Sequence, residues 1–207
     1  TPQLRGARIL LVEDNDLNRE LACELLTSNG ILVTPAWNGK EALEILQTET
    51  FDGVLMDLQM PIMGGYEATR KIRSRERFKS LPIIALTANV MAGDREKIEA
   101  AGMNGFIGKP LNVKRMLNVM AKWIHPAMPI AMEERPAGTE IDTADPFEKL
   151  PGIDTNEGLA ISLNDPKLYR RMLTLFHQGQ YDFEKRFQTA WQDDGHQAAA
   201  LIAHTLK

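Results

Sequence analysis

The chain has 207 residues, a formal net charge of -4 and 43% hydrophobic content, an ordinary soluble balance that suits one medium domain and a smaller one. Its mild acidity argues against nucleic acid or an anionic membrane surface as a partner. Cys23 is the single cysteine, which excludes an intrachain disulfide, and neither a bilayer-length apolar run nor a signal-peptide pattern is present; the fragment is expected in the cytoplasm, and a parent protein anchored in the inner membrane is compatible with that.

From Ala7 to Pro110 short apolar runs alternate with longer amphipathic segments. The runs Arg8–Val12, Ile31–Thr34, Gly53–Met56, Pro82–Leu86 and Gly105–Gly108 read as strands. Near-continuous hydrophobicity in the first, third and fourth suits strands buried on both faces of a parallel sheet. Between them, Leu17, Leu21, Ala22, Leu25 and Leu26 form a helical stripe that Gly30 can stop, with Cys23 inside it as a small buried residue. Asn38 and Glu41 read as a capping box opening a second helix. Further helices are expected near Gly65–Arg73, Asp94–Ala101 and Asn112–Ile124. Five strand–helix units predict a doubly wound α/β domain over residues 7–124. The basic residues Arg70, Lys71, Arg73, Arg75, Arg77 and Lys79 fall at a helix end, interrupted by Glu76, and read as a solvated surface.

Residues 125–150 carry Pro126, Pro129, Pro136 and Pro146 among polar residues, which reads as a linker. Residues 151–207 are helical in character. Asp154 and Glu157 can cap a short helix through Leu163, and Asp165-Pro166 is a helix start with Leu168, Met172, Leu175 and Phe176 as its stripe. Phe183, Phe187 and Trp191 continue helically beyond Gly179, and a last segment runs from after Gly195 to Lys207.

In open parallel sheets chemistry gathers at the carboxyl ends of the strands. There the sequence places Glu13 and Asp14, Asp57, Thr87, and Lys109 before Pro110. Three clustered carboxylates repel one another, and a hard divalent cation such as Mg²⁺ relieves that repulsion. Asp57 can then act as a nucleophile and form an aspartyl-phosphate, with Lys109 adding positive charge and the Thr87 hydroxyl donating to a phosphoryl oxygen.

The segments Leu11-Val12-Glu13-Asp14-Asn15, Met56-Asp57-Leu58-Gln59-Met60-Pro61, Leu86-Thr87-Ala88-Asn89 and Gly108-Lys109-Pro110 carry a specific resemblance to the receiver domains of response regulators and hybrid sensor kinases. That resemblance implies a flavodoxin-like fold with a five-stranded parallel sheet, Asp57 as phosphoryl acceptor, and Mg²⁺ held by Glu13, Asp14, Asp57 and the Gln59 carbonyl. It implies a switch pair of Thr87 and Phe106, in which phenylalanine stands where many relatives carry tyrosine, and a cis Lys109-Pro110 peptide. The stretches Asn15–Arg19 and Thr87–Met91 look most like receivers of hybrid kinases, and no helix-turn-helix module follows.

Leu150-Pro151-Gly152-Ile153-Asp154, Leu168-Tyr169-Arg170 and the closing Ala203-His204-Thr205-Leu206-Lys207 resemble the first part of histidine-phosphotransfer domains. By that resemblance His204 would carry a phosphoryl group. Because the sequence stops at Lys207, an all-α partial helical bundle is expected, either incomplete or completed by another chain. His125 suits a helix C-terminus, and neither His177 nor His196 has partners at ligand spacing.

These features predict phosphorelay signalling, with a kinase phosphodonor domain as one partner and a histidine-phosphotransfer domain or downstream regulator as the other. No ATP-binding motif is present, so a kinase core is expected before Thr1. The alternatives are an inert receiver-like interaction module and a metal-dependent aspartyl-phosphate phosphatase. Gln59 disfavours the phosphatase, because it stands where such enzymes need a second acid.

Overall fold

The computed structural model describes residues 2–88, 92–126, 155, 158, 159, 166–180 and 183–193. Five strands, β1 (Arg8–Val12), β2 (Leu32–Ala36), β3 (Gly53–Asp57), β4 (Ile83–Thr87) and β5 (Gly105–Gly108), form one parallel sheet in the order β2-β1-β3-β4-β5. Helices α1 (Asp16–Thr27), α2 (Gly39–Thr48), α3 (Gly65–Arg73), α4 (Ala92–Ala100) and α5 (Val113–Trp123) provide the crossovers and flank the sheet.

Strand periodicity splits the core in two. Ile9, Leu11, Leu55, Ile84, Leu86 and Ile107 pack with Ala22, Leu25 and Leu26 of α1 and Met116, Leu117 and Met120 of α5. Leu10, Val12, Val54, Met56, Ile83 and Ala85 face the opposite way, against Ala42, Leu43 and Leu46 of α2, Ala68 and Ile72 of α3, and Ile98 of α4. All five residues of β3 and of β4 are buried, as their unbroken apolar runs require. β2 differs from its expected bounds by running on through Pro35 and Ala36. An edge strand tolerates proline, because the ladder on its outer side needs no donor.

The helix starts are set by short polar side chains. Asn15 Oδ1 accepts from the Asn18 N–H, Asn38 Oδ1 from those of Lys40 and Glu41, and Asn112 Oδ1 from that of Arg115. The reciprocal arm of the box in α2 reaches one residue further back than expected, with Glu41 Oε2 accepting from the Trp37 N–H at 2.8 Å. α1 ends at Thr27, and Gly30 turns the chain toward β2 with a φ of 77°.

The basic stretch at the end of α3 is more than a solvated surface. Arg73 donates to the carbonyls of Gly102 and Phe78 and to Asn104 Oδ1, fastening the end of α3 to the α4–β5 turn. Arg77 donates to the Leu46 carbonyl and stacks on Phe78. Guanidinium forks suit such carbonyl clusters, which sequence position alone does not reveal.

Within residues 151–207 the described residues give α6 (Pro166–Gln180), which begins on the expected proline, and α7 (Phe183–Asp193). α6 lies against α1, with Tyr169 buried and Arg171 Nη1 3.3 Å from Glu24 Oε2. Phe176 and Trp191 are exposed. The linker beyond Pro126, the caps Asp154, Glu157 and Asp165, and the last segment with His196 and His204 lie outside the described residues. Among the described residues no helix is long and apolar enough to cross a membrane.

Gly65 opens α3 directly against the end of β3, and a Cβ there would stand 2.1 Å from the Asp57 carbonyl oxygen. The backbone must move to admit one. Gly65→Ala is expected to lower unfolding free energy by about 1–3 kcal/mol, read as a lower urea midpoint with unchanged m-value.

Candidate functional site

The strand order puts β2 and β3 on opposite sides of β1, so the connections after β1 and β3 leave in opposite directions and open a cleft at the carboxyl edge. β1 delivers Glu13 and Asp14 there, and β3 delivers Asp57 as its last residue. Glu13 and Asp57 are buried, at 1% and 6% exposure, while Asp14 sits on the more open rim. One carboxylate oxygen from each of the three lies within 4.8 Å of the others.

Lys109 enters from the end of β5. Its ammonium donates to Glu13 Oε2 at 2.6 Å and to Asp57 Oδ2 at 2.7 Å. Its backbone N–H donates to the Thr87 carbonyl at 2.7 Å, and its peptide bond to Pro110 is cis. Asp57 Oδ1 accepts from the Gln59 N–H at 3.2 Å, so Gln59 meets the acceptor carboxylate through its backbone. Thr87 is buried at the end of β4 and pairs with Gly108. Phe106 lies two residues back along β5, on the same face, half-buried against the α2–α3–α4 side of the core. Glu13, Asp14, Asp57, Gln59, Thr87 and Lys109 therefore converge, with Phe106 behind Thr87; His204 is outside the described residues.

Burial pushes the Glu13 carboxyl up; the Asp57 charge adds to that rise and Lys109 opposes it, with a net upward shift. Burial and then the Asp57 charge also push Asp14 up. Burial pulls the Lys109 ammonium down, but the Glu13 and Asp57 carboxylates outweigh it and hold the group above its ordinary value. With one ammonium against three carboxylates, the cluster keeps an excess of negative charge. Its hard oxygen donors and that excess fit a divalent cation such as Mg²⁺, which Glu13, Asp14 and Asp57 could hold.

Three supporting residues escape a reading that stops at the strand ends. Asn18 donates to Glu13 Oε1 at 3.2 Å. Arg19 Nη1 donates to the Glu13 carbonyl at 3.0 Å, and its guanidinium lies 4.4 Å from the centroid of the Trp37 ring. The available signal was Arg19 in helical step with Ala22 and Leu26, a charge on a buried stripe.

A raised folded-state pKa means that the native state binds protons more tightly than the unfolded chain. Stability then falls as pH rises from the ordinary carboxylate range through the raised value. Asp14→Asn removes this penalty, so the metal-free variant is expected to unfold at a higher temperature at pH 7. The gain is about 0.5–1 kcal/mol after allowance for solvent screening at the rim, and a metal-free melt at pH 4 should show a smaller one.

The response regulator receiver domain model matches residues 9–121. The sensor histidine kinase GacS of Pseudomonas protegens is 35% identical over 179 residues, which is 83% of this chain but 18% of that protein. Among solved structures, the receiver domain of the sensor histidine kinase PA1611 of Pseudomonas aeruginosa, with magnesium in its active-site cleft, is 41% identical. It aligns with a TM-score of 0.54 over 57% of this chain and 97% of its own. The Saccharomyces cerevisiae receiver Ssk1, crystallised with the histidine phosphotransfer protein Ypd1, is 29% identical, with a TM-score of 0.55 over 58% of this chain and 90% of that one. With the parallel five-stranded sheet and the matched segment spanning more than half its length, the chain belongs to the response regulator receiver domain family.

Proposed function

We propose that this chain is the receiver portion, followed by the start of a histidine-phosphotransfer domain, of a hybrid sensor histidine kinase, and that Asp57 accepts a phosphoryl group from a phosphohistidine. The observation that carries this is the setting of the Asp57 carboxylate. It is buried, with one oxygen on Lys109 Nζ at 2.7 Å and the other on the Gln59 N–H at 3.2 Å, in a cluster of two further acids. The GacS match supports the hybrid-kinase assignment, because its 83% share of the chain exceeds the span of the receiver itself. Magnesium in the PA1611 receiver supports the same ion here, and the Ypd1–Ssk1 complex supports a phosphotransfer domain as a partner class.

In this mechanism an Asp57 oxygen attacks phosphorus, the P–N bond to the donor imidazole breaks, and the imidazole leaves with a proton from solvent. Mg²⁺ held by Glu13, Asp14, Asp57 and the Gln59 carbonyl supplies neutralising charge when bound. Lys109, charged at neutral pH, turns from the Asp57 carboxylate to the incoming phosphoryl oxygens, and the Thr87 hydroxyl donates to another. Thr87 moving toward the phosphoryl group frees space that Phe106 can enter from the same face of the sheet, which links acylphosphate formation to the α4–β5–α5 surface. Residues 7–124 form the receiver, 125–150 the linker and 151–207 the phosphotransfer segment, in which His204 receives the group from an aspartyl-phosphate.

Incubation with acetyl phosphate and Mg²⁺ tests this directly. Base-labile label that needs Mg²⁺ and vanishes in Asp57→Ala is expected, together with acid-labile label lost in His204→Ala if relay occurs within the chain. Absence of any label in the native chain would contradict the assignment and favour a non-phosphorylated interaction module.

A further inference from the structure

The connection after β1 carries two of the three clustered acids, yet it is three residues long, Glu13 to Asn15, before α1 starts at Asp16. Something must fix the peptide planes of Glu13 and Asp14, because those planes set the directions in which the two carboxylates leave the chain. Arg19 does this from inside the second turn of α1. It is 7% exposed, and its Nη1 donates to the Glu13 carbonyl at 3.0 Å, with the Asp14 carbonyl at 3.5 Å. Its Nη2 pairs with the Asp16 carboxylate, whose side chain is 81% exposed. A partner that open to water restrains a guanidinium weakly.

The stronger restraint comes from across the cleft edge. The Arg19 Cζ lies 4.4 Å from the centroid of the Trp37 ring, a stacking distance. Trp37 follows β2 and is itself held. Its N–H donates to Glu41 Oε2 at 2.8 Å, and the preceding Ala36 carbonyl accepts from the Glu13 N–H at 3.0 Å. Trp37 is 46% exposed, so core packing does not account for the position of its ring. The guanidinium beneath it does, and one cation thereby ties the carbonyls of both acidic residues to the β2–α2 junction.

We propose that Arg19, clasped by the Trp37 indole, is a positioning residue for the Glu13–Asp14 pair and so sets the affinity of the site for a divalent cation. The inference rests on the receiver reading, in which that pair holds Mg²⁺. Arg19→Lys keeps the charge but loses the planar fork and the stack. Trp37→Ala loses the clasp alone, and Trp37→Phe restores an aromatic face.

The test is calorimetric titration of the full chain with Mg²⁺, with a melt of each metal-free variant. Arg19→Lys and Trp37→Ala are expected to weaken Mg²⁺ binding about tenfold, the scale for residues that orient ligands. Trp37→Phe should stay within about twofold of the native chain. Native affinity in both Arg19→Lys and Trp37→Ala would overturn the inference, whatever their melting temperatures, since a merely structural role shifts the melt and leaves affinity unchanged. Should Trp37→Ala not fold, the Arg19→Lys and Trp37→Phe pair gives the same comparison. A native chain with no Mg²⁺ affinity would remove the proposed Mg²⁺-holding role of Glu13 and Asp14, and this inference with it, whereas native binding with unaltered variants would remove the inference alone.

Discussion

The ammonium of Lys109, lodged between the carboxylates of Glu13 and Asp57, is the interaction on which the carboxyl edge of this sheet depends. Three acids brought within 4.8 Å in a mostly buried setting are mutually unfavourable. One cation reaching across from β5 makes the arrangement tolerable without neutralising it. That residual imbalance is what fits the edge for a hard cation. A fully compensated site would have no use for one, and an uncompensated one would strain the fold that carries it.

The rest of the architecture serves to hold these groups in place. Alternate residues of β1, β3 and β4 point into opposite halves of the core, so the strands that lead into Glu13 and end in Asp57 and Thr87 are fixed on both faces. Gly65 lets α3 start in contact with the Asp57 backbone. Arg73 ties α3 to the turn that leads into β5, and β5 in turn carries Phe106 and leads directly into Lys109. Asp57, Thr87 and Phe106 thus stand on strands, and Lys109 on the residue that follows one.

The sheet was legible because buried parallel strands are written as unbroken apolar runs; β3 and β4 needed no other signal. The acidic cluster and Lys109 were legible because function in such sheets collects at strand ends. β2 was less so. Its outward residues are half-buried or exposed, and Pro35 masks its end, which only an edge position permits. Arg19 showed only as a charge on a buried helical stripe, and Arg73 and Arg77 were not legible as structural residues, because what distinguishes them is the backbone carbonyls they meet, up to 31 positions away for Arg77. The β3–α3 loop holds a further case: Ile62, exposed and with a φ of 68°, is a β-branched residue in the left-handed region that no propensity would place there.

A double-mutant cycle on Lys109 and Asp57 tests the charge balance most directly. Unfolding free energies of the metal-free native chain, Lys109→Met, Asp57→Asn and the double variant would be compared by urea denaturation. The account predicts that Lys109→Met alone destabilises by about 3–5 kcal/mol, because it leaves buried carboxylates unpaired. It also predicts that Asp57→Asn in that background recovers part of the loss, with a coupling of at least about 1 kcal/mol. Strictly additive effects, or a Lys109→Met chain as stable as the native one, would show that the lysine does not hold the edge together.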